Sequence, residues 1–305
     1  PASTLSSLLK CEAANTQTNS DRLFELASMS TALARIVARN PSIPPELLRE
    51  LSAMHDIKTR LYVTANPNTP KDILLQLGRS FPKQLLRNPV FSLLLLENPN
   101  LLPDLLGEMP LNTLQDLLKL EGMPGYVLEK FATHPDVWVR AAVALNFNTP
   151  ISVIEELTND RDVVRQSVAN NPNAPKSILK QLAKDLNWFV RQAVASNPST
   201  HRNTLEELSW DNHWHIRVAV ASNPNTPTRI LENFRWDNDR GMCQALAQNP
   251  HTPAKILEQL AFTQDVDIRR EVAKNQNTPV SVLEQLVRDK NFSVCFFRRN
   301  PSFNH

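Results

Sequence analysis

The stretch Ile216-Arg217-Val218-Ala219-Val220-Ala221-Ser222-Asn223-Pro224-Asn225-Thr226-Pro227 decides the fold, because it returns along the chain. Its Asn-Pro-Asn-Thr-Pro ending, or a near copy, begins at Asn146, Asn171, Asn197, Asn223, Asn249, Asn275 and Asn300, at intervals of 25 or 26 residues, with earlier copies at Asn40 and Asn66. A fixed period of this length marks stacked supersecondary units. One such unit is too small to bury its own apolar face, so its neighbours must complete the core.

Working outward from that ending, an apolar residue and then an arginine precede each Asn. Arg60, Arg140, Arg165, Arg191, Arg217 and Arg269 hold the arginine position, six residues upstream of the Asn. Cys243 takes it in one repeat, and Cys295 lies at the shortened equivalent in the last. On the downstream side, segments such as Ser177-Ile178-Leu179-Lys180-Gln181-Leu182-Ala183 place apolar residues at the i, i+3, i+4 spacing of a helix face. Each unit therefore reads as two short helices. Thr69, Thr149, Thr226, Thr252 and Thr278 are expected to cap the second helix, with the next Pro in its first helical position. The repeated Asn is expected to end the first helix in a left-handed conformation, with the Pro after it blocking continuation.

This pattern, V-R-x-x-V-A-x-N-P-x-T-P followed by a leucine-bearing helix, resembles the leucine-rich repeat variant family, within the wider armadillo and HEAT-like superhelices. The likeness is clean over residues 135–301 and drifts over 21–78. It implies an all-α, right-handed solenoid of paired short helices, one of each pair often of 3₁₀ type. Some relatives carry a Cys-rich N-terminal module for an iron-sulfur cluster. Here that module is represented by at most Cys11, and no cluster or other cofactor is expected, since such clusters generally need four thiolates.

Four stretches follow from the register: an N-terminal cap over 1–20, helical repeats over 21–78, an irregular region over 79–134, and a regular array with a terminal cap over 135–305. In the irregular region Asn88-Pro89 and Asn98-Pro99 stand ten residues apart around the run Leu93 to Leu96. It is expected to pack as a hydrophobic elbow of degenerate repeats, with its leucines mostly buried, rather than to form a dedicated pocket. Phe296-Phe297-Arg298-Arg299 would cover the open end of the core or pair with a second molecule.

Composition sets the outer bounds. Of 305 residues, 41% are hydrophobic and 21% charged, enough apolar material for a core and too little charge for disorder. Only 5 are Gly whereas 23 are Pro, so the prolines act as punctuation between helices rather than as parts of flexible loops. A net charge of +2 permits a nucleic-acid partner without indicating one. Three widely spaced cysteines argue for free thiols in a reducing compartment, and no apolar run approaches the length of a membrane span, so a cytoplasmic location is expected. Cys243 and Cys295 lie two repeats apart, beyond disulfide reach, and are read as small apolar filler.

The charged and aromatic residues at repeat positions supply the candidate sites. Asp185 precedes Arg191 by six residues, and Asp211 precedes Arg217 likewise, which suggests a ladder between neighbouring repeats that includes Arg140, Arg165 and Arg269. A partly buried guanidinium needs an anionic partner, so a ladder is favoured over a free basic stripe. Arg140 and Arg269 lack that Asp spacing, and the cysteines at the arginine position leave Asp237 and Asp289 without the expected partner. Trp188 and Trp214 share one repeat position, near which Phe292 also falls, and are read as packing. Lys184, Trp210 and Trp236 share another, whose tolerance of lysine marks it as exposed. With the adjacent His213 these three are the candidate contacts for a partner. His213 and His215 are two apart, on different helix faces with no third ligand evident, so no metal site is expected.

No catalytic motif is present: there is no G-x-S-x-G, no H-E-x-x-H and no glycine-rich phosphate loop. The reading is a non-catalytic scaffold that binds a protein or peptide. A nucleic-acid-binding superhelix would instead need its basic residues gathered on one face, and an enzyme would need its active residues scattered over several repeats.

Overall fold

A computed structural model describes residues 2–295, and all regular structure among them is helical. Phe296 to Arg299 and Asn300 lie outside the described residues, as do the side chains of Phe292 and Cys295. The chain divides into two compact units, Pro1–Met123 and Pro124–His305, and the division falls within the irregular stretch.

The second unit is a helical repeat solenoid. Its first helices are Val137–Leu145, Asp162–Asn170, Trp188–Ser196, Trp214–Ser222, Arg240–Gln248 and Val266–Lys274, each nine residues long. Each buries its third, seventh and eighth residues: Val190, Val194 and Ala195 in one, Ile216, Val220 and Ala221 in the next. The small alanines allow close approach, and successive first helices pack directly on one another. The second helices, such as Lys176–Leu182, run seven residues except Thr228–Asn233, and typically bury an apolar pair plus a leucine one turn on, as with Ile178, Leu179 and Leu182. Helices this short are marginal alone in water, so their stability comes from stacking.

What joins the repeats is the asparagine. Asn223 is 2% exposed, and its Nδ2 donates to the main-chain oxygens of Ala195 and Asn197 in the preceding repeat, at 2.7 and 2.9 Å. Its Oδ1 accepts from the Asn225 amide at 2.9 Å. The same three bonds recur at Asn171, Asn197, Asn249 and Asn275. Each buried side chain thus satisfies the carbonyl left over where the previous first helix ends and adds a second donor to the carbonyl of the preceding Asn, which also accepts a main-chain amide. A second, exposed row runs beside it: the Nδ2 groups of Asn173 and Asn277 and the Ser199 hydroxyl reach main-chain oxygens of Phe147, Pro250 and Pro172.

These bonds correct two expectations about the loop. The repeated Asn is extended, with φ near −70° and ψ near 125°, not left-handed, and no non-glycine residue among those described has positive φ. An extended backbone turns the amide inward to the neighbouring repeat. Nor does the Thr cap the second helix. Its hydroxyl donates backward to the carbonyl six residues earlier, Thr226 to Val220 and Thr252 to Leu246, closing the first helix. The following Pro, not the Thr, is the N-cap residue, and it offers no side-chain bond.

The first unit applies the same device less regularly. Its helices run from Ala2–Ala14 to Leu111–Leu118 around a core that includes Leu23, Leu26, Val37, Leu48 and Val63. Asn40 and Asn66 make the paired bonds to the preceding turn, and Asn88 continues the row to Thr64 and Asn66 although its spacing from Asn66 is only 22 residues. In the irregular stretch Phe91, Leu94, Leu102, Leu106, Leu114 and Leu117 are buried. Leu93 and Leu96, however, are 62% and 81% exposed. A run of four leucines on a helix points in every direction, so only the side chains facing the core can be covered.

Replacing Asn223 by Ala leaves the buried Ala195 carbonyl without a donor and removes one of the two from Asn197, and is expected to destabilise the second unit by about 2 kcal/mol. Asn225→Ala, which removes the exposed row's bond from the Asn225 Nδ2 to the Pro198 carbonyl, should lose less than about 1 kcal/mol. Urea unfolding of the two variants checks the order. Equal losses would show that the buried row holds no special place.

Candidate functional site

The charged ladder is made differently from its sequence reading. Arg165 Nε and Nη2 grip the Asp185 carboxylate at 2.6 and 3.0 Å, and Arg191 grips Asp211 at 2.7 and 3.2 Å. Each aspartate thus binds the arginine 20 residues before it, in the preceding repeat, not the one six residues after. That later arginine donates its Nη1 to the main-chain oxygen of the Asp position, Arg191 to Asp185 O at 2.7 Å. One guanidinium therefore closes its own repeat and clamps the next. Arg140 with Asp160 and Arg269 with Asp289 form the same rungs, so the absence of an upstream Asp does not matter and Asp289 has its arginine. Arg35 and Asp56 form an equivalent rung in the first unit. Arg60 makes none among the described residues: its guanidinium lies 6.0 Å from the Phe81 ring centroid.

These pairs are largely enclosed, with side-chain exposures between 7% and 24% in the second unit. The arginine hydrogen bond holds Asp160 and Asp289 below the ordinary carboxylate range. At Asp185 and Asp211 burial is the largest single influence and opposes ionisation, but the arginine bond, a main-chain amide and the neighbouring positive charges together outweigh it, so both also titrate low. The forked geometry suits this role, because a planar guanidinium offers two parallel donors to one carboxylate.

The ladder is interrupted in the middle of the second unit. Arg217 Nη1 donates to the Asp211 and Asn212 carbonyls at 2.9 and 3.2 Å, but no carboxylate among the described residues accepts from its Nε or Nη2. Asp237 stands at the usual 20-residue spacing, yet its Oδ1 takes the Asp239 amide at 3.0 Å and not the arginine. The break coincides with a local change of structure: the second helix here is Thr228–Asn233, six residues, followed by a 3₁₀ turn at Phe234–Trp236. One repeat further, buried Cys243 replaces the arginine. Its Sγ lies 3.5 Å from Asp237 O, a weak copy of the arginine's inner bond, and burial pushes the thiol pKa up. Arg240 supplies the link to the next repeat instead, binding Asp265 at 2.5 Å and Asp267 at 3.0 Å.

At this interruption the surface opens into a cleft of about 800 Å³ lined by Trp210, Asn212, Arg217, Glu232, Phe234 and Trp236, among others. Trp210 and Trp236 are 75% and 69% exposed, and the Arg235 guanidinium sits 4.3 Å from the Trp236 ring centroid. Two of the four candidate contacts therefore share one cleft. Lys184 is exposed one repeat earlier and does not line it. His213 turns elsewhere: its ring stacks 4.2 Å from Trp188 with 6° between the planes, and its Nδ1 is buried without a hydrogen-bond partner. Trp188 also stacks on Phe189 and His215, while Trp214 remains 45% exposed beside His215. Arg217 entered the sequence reading only as a ladder member. Its open fork leaves no mark there, because the spacing to Asp237 is that of the intact rungs.

Among the described residues no group of three or more His, Cys, Asp or Glu could hold a metal ion, and no helix is long and apolar enough to cross a membrane. Residues 8–60 match the model of the leucine rich repeat variant domain. A solved structure described as a leucine-rich repeat variant with a novel repetitive structural motif is similar over 76% of this chain and 88% of its own, at 21% identity and a TM-score of 0.35. An engineered protein is similar over 94% of this chain and 96% of its own, at 14% identity and a TM-score of 0.34. No curated protein matches.

The ladder predicts an acid response. Because its aspartates titrate below their ordinary value when folded, their contribution is complete above about pH 4 and is lost as the pH falls through the depressed folded values. An Asp185→Asn/Asp211→Asn variant should unfold at a lower temperature than the parent at pH 7, and the gap should narrow at about pH 3. A gap that is the same at both pH values would show that the carboxylate charges contribute nothing.

Proposed function

We propose that the chain is a non-catalytic scaffold whose second unit binds a protein or peptide partner at the cleft between Trp210 and Trp236. The observation that carries this reading is the pair of exposed indoles on adjacent repeats that line one concavity together with Arg217. Large aromatic side chains left in water at a concave site are the kind of surface that dominates binding energy when a partner covers it. The repeat architecture suits the role, since a solenoid presents a long surface without requiring one compact core.

The charge pattern favours this over a nucleic acid. Arg140, Arg165, Arg191 and Arg269 are each bound to an aspartate, so the row of arginines is not free to face phosphates. Around the cleft the charges are mixed, with Arg217 and Arg235 beside Glu232. A groove that tracks a phosphate backbone would be basic along its length. Lys184 belongs to the proposed surface as its outer edge, one repeat before the cleft, and His213 as a buttress that fixes Trp188. A reducing, cytoplasmic setting accords with a free buried thiol at Cys243 and a free exposed one at Cys11.

Affinity capture from source lysate, with and without nuclease, compares the parent with a Trp210→Ala/Trp236→Ala variant. A protein partner that survives nuclease and is lost with the variant is the expected outcome. Partners released by nuclease and indifferent to the tryptophans would replace this reading with nucleic-acid binding.

A further inference from the structure

We infer that the partner supplies the missing rung: a carboxylate side chain, Asp or Glu, on a peptide segment that enters the cleft and is gripped by Arg217. This rests on the reading of the cleft as a partner site and adds the chemistry that the site selects.

Arg217 holds the same repeat position as four arginines that are paired with aspartates. At Arg140, Arg165, Arg191 and Arg269 the guanidinium uses Nη1 for its own repeat and Nε with Nη2 for a carboxylate. Arg217 keeps the first half of that arrangement, with Nη1 on two main-chain oxygens, so its fork is held in the position that elsewhere meets an aspartate. The second half has no carboxylate among the described residues, and Arg217 lines the cleft. A half-buried guanidinium fixed by its inner bonds loses little side-chain entropy on accepting a ligand. The flanking indoles would then cover apolar residues on either side of the acid. Glu232 in the lining disfavours a doubly charged phosphate more than a singly charged carboxylate.

Panning a phage-displayed library of random dodecapeptides on the full chain tests this. Recovered peptides are expected to share an Asp or Glu next to an apolar residue. Changing that acid to its amide should weaken binding to the parent by about tenfold or more, the scale of a charge-assisted bidentate bond. The same change should leave binding to an Arg217→Gln variant unaltered. Arg217→Lys, which keeps the charge and the inner bond but loses the fork, should fall between them. Peptides without a shared acid, or an equal loss with both proteins, would overturn the inference. If Trp210→Ala/Trp236→Ala abolishes binding while no coupling to Arg217 is found, the cleft reading stands and the carboxylate fails. Binders indifferent to both tryptophans, or no binders, would sink both.

Discussion

The constraint on which everything else depends is that each first helix ends in a carbonyl with no partner within its own repeat, such as that of Ala195, beside a second, such as that of Asn197, that is only partly satisfied there. In a single short helix water would satisfy them, but stacking buries them between repeats, where an unpaired carbonyl is strongly unfavourable. One asparagine amide per repeat resolves this, because its Nδ2 carries two donors and can bridge two carbonyls at once while its Oδ1 fixes the turn. The residue cannot be exchanged for aspartate, which has no donors, nor for serine, which has one. The period, the Pro after the Asn and the backward bond from the Thr hydroxyl all serve to bring that amide into place.

Given that spine, the arginine rungs are a second and more adjustable connection. They lie at the half-buried edge of the stack, where a forked ion pair clamps neighbours but can be omitted without opening the core. Cys243 shows one omission, with Arg240 taking over the link from a different position. Arg217 shows another, in which the clamp remains half made and faces a cleft between two indoles. A feature that stabilises the array in most repeats is thereby available for recognition in one. The buried asparagine row runs past this point without change, since Asn223 and Asn249 keep their bonds on either side of it.

The loop between helices shows why residue types could be assigned correctly while their roles were not. Asn-Pro and Thr-Pro mark a stop and a start in any sequence, and local preference assigns Asn the left-handed turn and Thr the cap. In the molecule both side chains are drawn to carbonyls instead, the Asn amide to those of the preceding repeat and the Thr hydroxyl to that of its own first helix six residues back, because buried carbonyls are a stronger demand than the exposed amides of a helix start.

Period, paired helices and an all-helical stack were determined by the sequence alone, since they follow from apolar spacing and from punctuation that repeats every 25 or 26 residues. The exposure of Trp210 and Trp236 was legible as well, through the lysine at the equivalent position. Only the tertiary structure decided which aspartate each arginine binds, that His213 stacks on Trp188 away from the cleft, and that Arg217 lacks its carboxylate. The reason is physical: partners in a stack are chosen by the distance between repeats, and a 3₁₀ turn of three residues can displace a carboxylate while leaving its place in the sequence untouched.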